Sequence, residues 1–136
     1  MAELGFLAVG RPTFDVDQAR ELARQALVRL RAVTGVAGTE VLASTVTEVE
    51  AASKELMAAS PEAVVVFQAT FSDASMVRRL SQLIPVPVVV WAVPDAPPAG
   101  DAVDRLRLNS FCGANLAAYT LSRQRHPYAG VLVPVD

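Results

Sequence analysis

At 136 residues, 52% of them hydrophobic and 19% charged, the chain matches one globular domain, large enough to bury a core without disulfides or metals. A net charge of −2, with eleven arginines scattered among acids, offers no basic surface, so nucleic acid is not an expected partner. A single cysteine, Cys112, and a single histidine, His126, exclude an internal disulfide and a typical zinc cluster; no apolar run approaches a membrane span and no leader-like start is evident, so a cytoplasmic protein without a membrane partner is expected.

The first strand is read at Leu4 to Val9, ended by Gly10 and Pro12. Asp15 with Gln18 then gives a helix N-cap signature, and the apolar positions Val16, Ala19, Leu22, Ala23, Ala26, Leu30 and Val33 repeat at three and four through a first helix closed by Gly35. A second strand is read at Thr39 to Ala43. Thr45 and Glu48 have capping-box spacing and open a helix through Ala59 that buries Val49, Ala52 and Leu56.

Ala63 to Phe67 is an uninterrupted apolar run rich in β-branched residues, which suits a strand buried on both faces, and it is assigned as the central strand. Ser72 or Asp73 caps a third helix whose inner positions are Met76, Leu80 and Leu83. The fourth strand spans Val86 to Val93, with Pro85 and Pro87 at its entry. Pro94 to Asp104 is the only long connection and is expected to overhang the sheet's carboxyl edge. Arg105 to Leu108 alternates with period two and should be extended. Asn109 or Ser110 then caps a helix to about Gln124 that buries Phe111, Leu116, Ala117 and Leu121. A fifth strand is read at Ala129 to Val135.

Strands alternating with helices in this way predict an α/β, flavodoxin-like, doubly wound five-stranded parallel sheet of order 2-1-3-4-5, a single domain over 1–136. The final helix of that arrangement is lacking. The strands nearest the end should therefore lose cover on one face, which implies a second chain or a downstream domain there.

In this topology three segments converge on the carboxyl edge, where open α/β sheets bind ligands. They carry Arg11 and Thr13; Gln68, Thr70, Phe71 and Asp73; and Trp91 with Asn109 and Ser110. Amides and hydroxyls suit sugar hydroxyls, rings stack on a sugar's apolar face, and helix N-termini favour anions, so a polyhydroxylated or anionic small molecule is the expected ligand. No nucleophile has a histidine base within reach and no carboxylate pair is evident, so no catalytic residue is assigned.

Each of these residues also has a plainer role: Asp73 as a helix cap, Arg11 as an exposed or ion-paired arginine, Trp91 as core, Cys112 as a buried structural thiol. His126 reads as a surface residue at the amino edge. Gly113 inside a helix costs about 1 kcal/mol relative to alanine, which points to a close backbone approach. Neither of the two glycine-rich phosphate-binding fingerprints is present.

Taken together, Gly10-Arg11-Pro12-Thr13-Phe14-Asp15, Gln68-Ala69-Thr70-Phe71-Ser72-Asp73, Trp91-Ala92-Val93-Pro94 and the run from Arg105 to Asn115 resemble the N-terminal region of L-fucose/L-arabinose isomerase-like proteins, in order and over nearly the whole chain. The resemblance implies a domain that lines a sugar site completed by a neighbouring subunit and helps hold an oligomer together. It also implies a divalent metal, usually manganese, held by later domains and not by this chain. By motif position Arg11 looks like the arginine offered to substrate, and Phe71 falls where an aromatic residue reaches it. Alone, such a chain is expected not to isomerise sugars. The alternative reading is a stand-alone domain binding a sugar, sugar phosphate or nucleotide at the same edge.

Overall fold

The computed structural model describes residues 3–95 and 107–136. Five strands, β1 (Leu4–Val9), β2 (Val36–Ala43), β3 (Ala63–Gln68), β4 (Val88–Ala92) and β5 (Tyr128–Leu132), alternate with four helices, α1 (Val16–Arg31), α2 (Val46–Ala58), α3 (Ala74–Leu83) and α4 (Ser110–Arg123). All strand pairs are parallel and the order is β2-β1-β3-β4-β5, the doubly wound arrangement expected from the alternation.

The central strand divides its side chains by parity. Val64 and Val66 join the core under α2, α3 and α4, with Leu56, Leu80 and Leu121 from those helices. Val65 and Phe67 point to the other face, where α1 presents Ala19, Ala23, Ala26 and Leu27. Small alanines let α1 lie close to the sheet, and the space is filled from the strands: Phe67 stacks on Phe6 at 6.0 Å and meets Trp91 edge-on at 5.2 Å.

Helix starts follow local chemistry. The Asp15 carboxylate accepts from the Gln18 amide (3.1 Å), and Thr45 and Glu48 form the capping pair at α2, the Glu48 amide donating to Thr45 Oγ1 at 3.1 Å. Several boundaries differ from expectation. Helix α1 stops at Arg31 and caps at Ala32, which leaves Val33 exposed; Gly35 instead uses its carbonyl to accept from Glu3 and Leu4, starting β1.

Strand β2 begins at Val36, earlier than Thr39, because its middle is bulged. Phe6 pairs with Gly38 and Ala8 with Leu42, so Leu7 alone faces Thr39, Glu40 and Val41. Gly38 has φ +120°, and a Cβ there would lie 2.3 Å from the Phe6 carbonyl oxygen, so glycine is required. The strand read at Val86 to Val93 is β4, Val88–Ala92, and β5 ends at Leu132 instead of Val135.

Phe111 was expected in the core and is 51% exposed. The face of α4 that meets the sheet is Ser110, Gly113, Ala117 and Leu121, and this rotation turns Phe111 toward β5. Cys112 is exposed, not buried, on the same first turn. His126 is half-buried, with Nε2 2.8 Å from the Val86 carbonyl, tying the start of β5 to the entry of β4. The loop expected over Pro94 to Asp104 and the extended Arg105–Leu106 fall mostly outside the described residues.

Among the described residues, the strand that should lack cover does lack it. All five residues of β5 are exposed. On the α1 face, among the described residues, Leu108 and Val135 join the apolar cluster that contains Trp91.

Candidate functional site at the carboxyl edge

Gly10 leaves β1 in close contact with the β3 turn: a Cβ there would be 3.0 Å from Thr70 Oγ1 and 3.1 Å from Leu42. The Arg11 amide donates to Thr70 Oγ1 at 2.7 Å, and that hydroxyl donates to the Phe71 carbonyl at 2.8 Å. One buried threonine thus ties the loop after β1 to the loop after β3. The Phe71 amide donates to the Leu108 carbonyl at 2.8 Å, which brings in the third segment.

Beneath these loops sits a buried polar knot. Gln68 Nε2 donates to the Thr70 carbonyl (2.8 Å) and to Ser72 Oγ (2.7 Å). Ser110 Oγ donates to the Gln68 carbonyl and accepts from the Val93 amide at 3.0 Å. Gly113 makes this possible: a Cβ would fall 2.9 Å from Gln68 Nε2 and 3.0 Å from Phe71 Cα, the close approach that its place inside a helix suggested.

Two acids fasten the third segment. Asp95 accepts from the amides of Leu108 (2.8 Å) and Asn109 (3.0 Å), fixing the turn into α4, where Asn109 is left-handed at φ 54° and provides no side-chain cap. Asp15, beyond capping α1, pairs with Arg107 at 3.0 Å, and its backbone amide donates to the Arg107 carbonyl at 3.0 Å. Neither role was legible, because both depend on partners over ten residues away with no periodic spacing.

The expected site residues therefore divide. Arg11, Thr13 and Asp73 are exposed, and Phe71 and Asn109 are half-buried, all on loops at the carboxyl ends of β1 and β3 or at the start of α4. Gln68, Thr70 and Ser110 are buried and use their polar atoms to hold the loops. Trp91 lies beneath the edge against Phe67, 9% exposed, and donates its indole N–H to the Val133 carbonyl at 2.9 Å.

Phe14 joins the half-buried residues at this edge, its ring 6.3 Å from that of Phe71. Asp73 caps α3 through the Ser75 amide at 2.9 Å and also bonds the Ser75 hydroxyl. These bonds, with a smaller contribution from the Arg11 charge, hold its carboxyl below the usual carboxylate range. The Arg11 guanidinium has no hydrogen-bonded partner among the described residues.

The result is a shallow shelf with one cation, two rings and an ionised acid. Among the described residues, no three histidine, cysteine, aspartate or glutamate side chains come together as a metal site would require.

The sequence profile for the N-terminal domain of fucose/sulfoquinovose isomerases matches residues 5–135. The chain belongs to that family. Sulfoquinovose isomerases from Priestia aryabhattai and from Priestia megaterium are each 27% identical to it over 127 residues, which cover 93% of this chain and 28% of theirs. The chain thus spans little more than a quarter of the length of these relatives. Within this isomerase-family domain the matched stretch takes in every segment that forms the shelf, and among the described residues no helix is long and apolar enough to cross a membrane.

Proposed function

We infer that this chain is the substrate-lining and assembly domain of an aldose–ketose isomerase, incomplete as a catalyst by itself. The observation that carries this reading is the meeting of Arg11, Phe14, Phe71 and Asp73 on one open shelf in a domain of this family. A shelf binds a sugar weakly. Rings cover the apolar face of the sugar and Arg11 and Asp73 exchange hydrogen bonds with its hydroxyls, but enclosure needs a further wall. A neighbouring subunit or another domain supplies that wall and the metal-bearing chemistry.

Arg11 gives the shelf a preference. A guanidinium with no hydrogen-bonded partner among the described residues recognises an anionic group by paired hydrogen bonds, so a sulfo-sugar such as sulfoquinovose fits better than a neutral deoxyhexose. The test is calorimetric titration with sulfoquinovose, L-fucose, a sugar phosphate and a nucleotide, together with an isomerisation assay in added manganese. Weak sugar binding that is lost in Arg11→Ala, without turnover, is the expected result. Turnover by this chain alone refutes incompleteness, and nucleotide binding in preference to sugars favours the stand-alone binding domain.

A further inference from the structure

Two surface features at opposite edges of the sheet have no partner among the described residues. At the β2 edge, the bulge over Thr39, Glu40 and Val41 borders a groove of about 460 Å³ between β2 and α2. Its floor is apolar, from Leu7, Ala51, Ala52 and Leu56, and Val41 stands 66% exposed at its lip. The bulge is a built feature: Gly38 allows it, and Arg31 pins it by donating to the Gly38 carbonyl at 2.8 Å. Both charged residues that line the groove, Glu48 and Glu55, are acids two turns apart on α2.

At the β5 edge, helix α4 carries Phe111, Asn115, Tyr119 and Arg123. Spacing by four places them along one side. Phe111 is 51% and Tyr119 64% exposed. Phe111 and Asn115 border a shallow cavity of about 190 Å³ shared with Gly130 and Leu132, so the stripe looks outward past β5. A Cβ on Gly130 would meet nothing within 4 Å, so packing inside the chain does not require a glycine there. The stripe ends in arginine, at Arg123, with Arg125 just beyond.

We propose that the aromatic stripe of α4 on one copy docks into the β2–α2 groove of the next copy. This rests on the assembly part of the reading above and names its surfaces. The fit is chemical on both counts: aromatic rings for an apolar trough, and Arg123 with Arg125 for Glu48 and Glu55. Two rings of about 150–250 Å² each, 51% and 64% exposed, with the surface they cover, supply about a third to a half of the roughly 1,200 Å² at which stable interfaces begin. The exposed apolar residues of β5 adjoin the same contact. Because groove and stripe sit on different edges, the contact is heterologous, and successive copies form a closed ring or an open filament.

The test is a charge exchange read by light scattering on the eluting protein, without sugar. Wild type is expected above monomer mass. Glu55→Arg places arginine against arginine, and Arg123→Glu places acid against acid; each alone should weaken self-association about tenfold, roughly 1.4 kcal/mol. An equimolar mixture of the two variants should assemble again, since alternating copies join opposite charges at every junction of a filament or an even-numbered ring, and at all but one junction of an odd ring. Ala51→Trp fills the groove from an exposed position and should also yield monomer, with an unchanged circular dichroism spectrum. A monomeric wild type, variants that assemble like wild type, or a mixture that stays monomeric would each overturn the proposal. None of these outcomes depends on whether Arg11 contacts sugar, so failure here and failure of the substrate-lining reading are distinguishable.

Discussion

Replacing Gly113 by alanine sets two effects of known size against each other. In an open helix interior the change stabilises by about 1 kcal/mol, because alanine loses less backbone entropy. In α4 the new methyl would sit 2.9 Å from Gln68 Nε2 and 3.0 Å from Phe71 Cα. The Phe71 backbone is held by its bond to Leu108 and cannot withdraw cheaply. Overpacking of this kind costs about 1–3 kcal/mol. Displacing the Gln68 amide also weakens two buried hydrogen bonds worth about 1 kcal/mol each. The balance is a loss of about 2 kcal/mol, or a fall of roughly 6–10 °C in melting temperature for a domain of this size. Thermal and urea unfolding followed by circular dichroism measure it, with Gly130→Ala as the control. That strand position has open space, so alanine there should be neutral or stabilising by about 0.5–1 kcal/mol. If Gly113→Ala proves as stable as wild type or more so, the tight junction between α4 and the β3 loop is wrong.

Other perturbations have outcomes set by the same geometry. Asp95→Ala removes the acceptor for the Leu108 and Asn109 amides and should cost about 1–3 kcal/mol in urea unfolding, with faster amide exchange at those two positions. Asp73→Ala removes a helix cap and should cost about 1 kcal/mol at neutral pH. Because the folded carboxyl titrates below its ordinary value of 3.8, that stabilisation is complete above this value and disappears as the pH falls through the lowered one. The stability gap between variant and wild type should therefore close in acid, and a gap independent of pH would show that the ionised carboxylate is not what stabilises the start of α3. Gly38→Ala forces a methyl against the Phe6 carbonyl and should cost at least about 2 kcal/mol or collapse the bulge, visible as altered amide shifts from Thr39 to Val41.

Much of this architecture could be read from the chain because its signals are local. The Asp15 and Thr45 caps, the all-apolar β3 and the alternation of strand and helix each follow from residues within a few positions of one another. What escaped was non-local. Phe111 looked like a core residue by spacing, but Gly113 and Ser110 set the rotation of α4 through contacts with Gln68, over forty residues earlier. The bulge in β2 was hidden because its cause is the pairing with β1, not any pattern within Val36–Ala43.

At the candidate site, sequence order correctly brought the loops bearing Arg11 and Phe71 to one edge. It could not tell polar side chains that face outward from those, such as Gln68, Thr70 and Ser110, that hold the loops from beneath. A buried hydroxyl and an exposed one look alike until the loops are packed.

The central claim is that one shelf at the carboxyl edge receives the sugar. Amide shifts of the isotope-labelled chain, followed during titration with sulfoquinovose, test it most directly. The account predicts changes concentrated at Arg11 to Phe14, Phe71 to Asp73 and Asn109 to Cys112, and their loss in Arg11→Ala. Changes confined to the β2–α2 groove or to the amino edge of the sheet would contradict it.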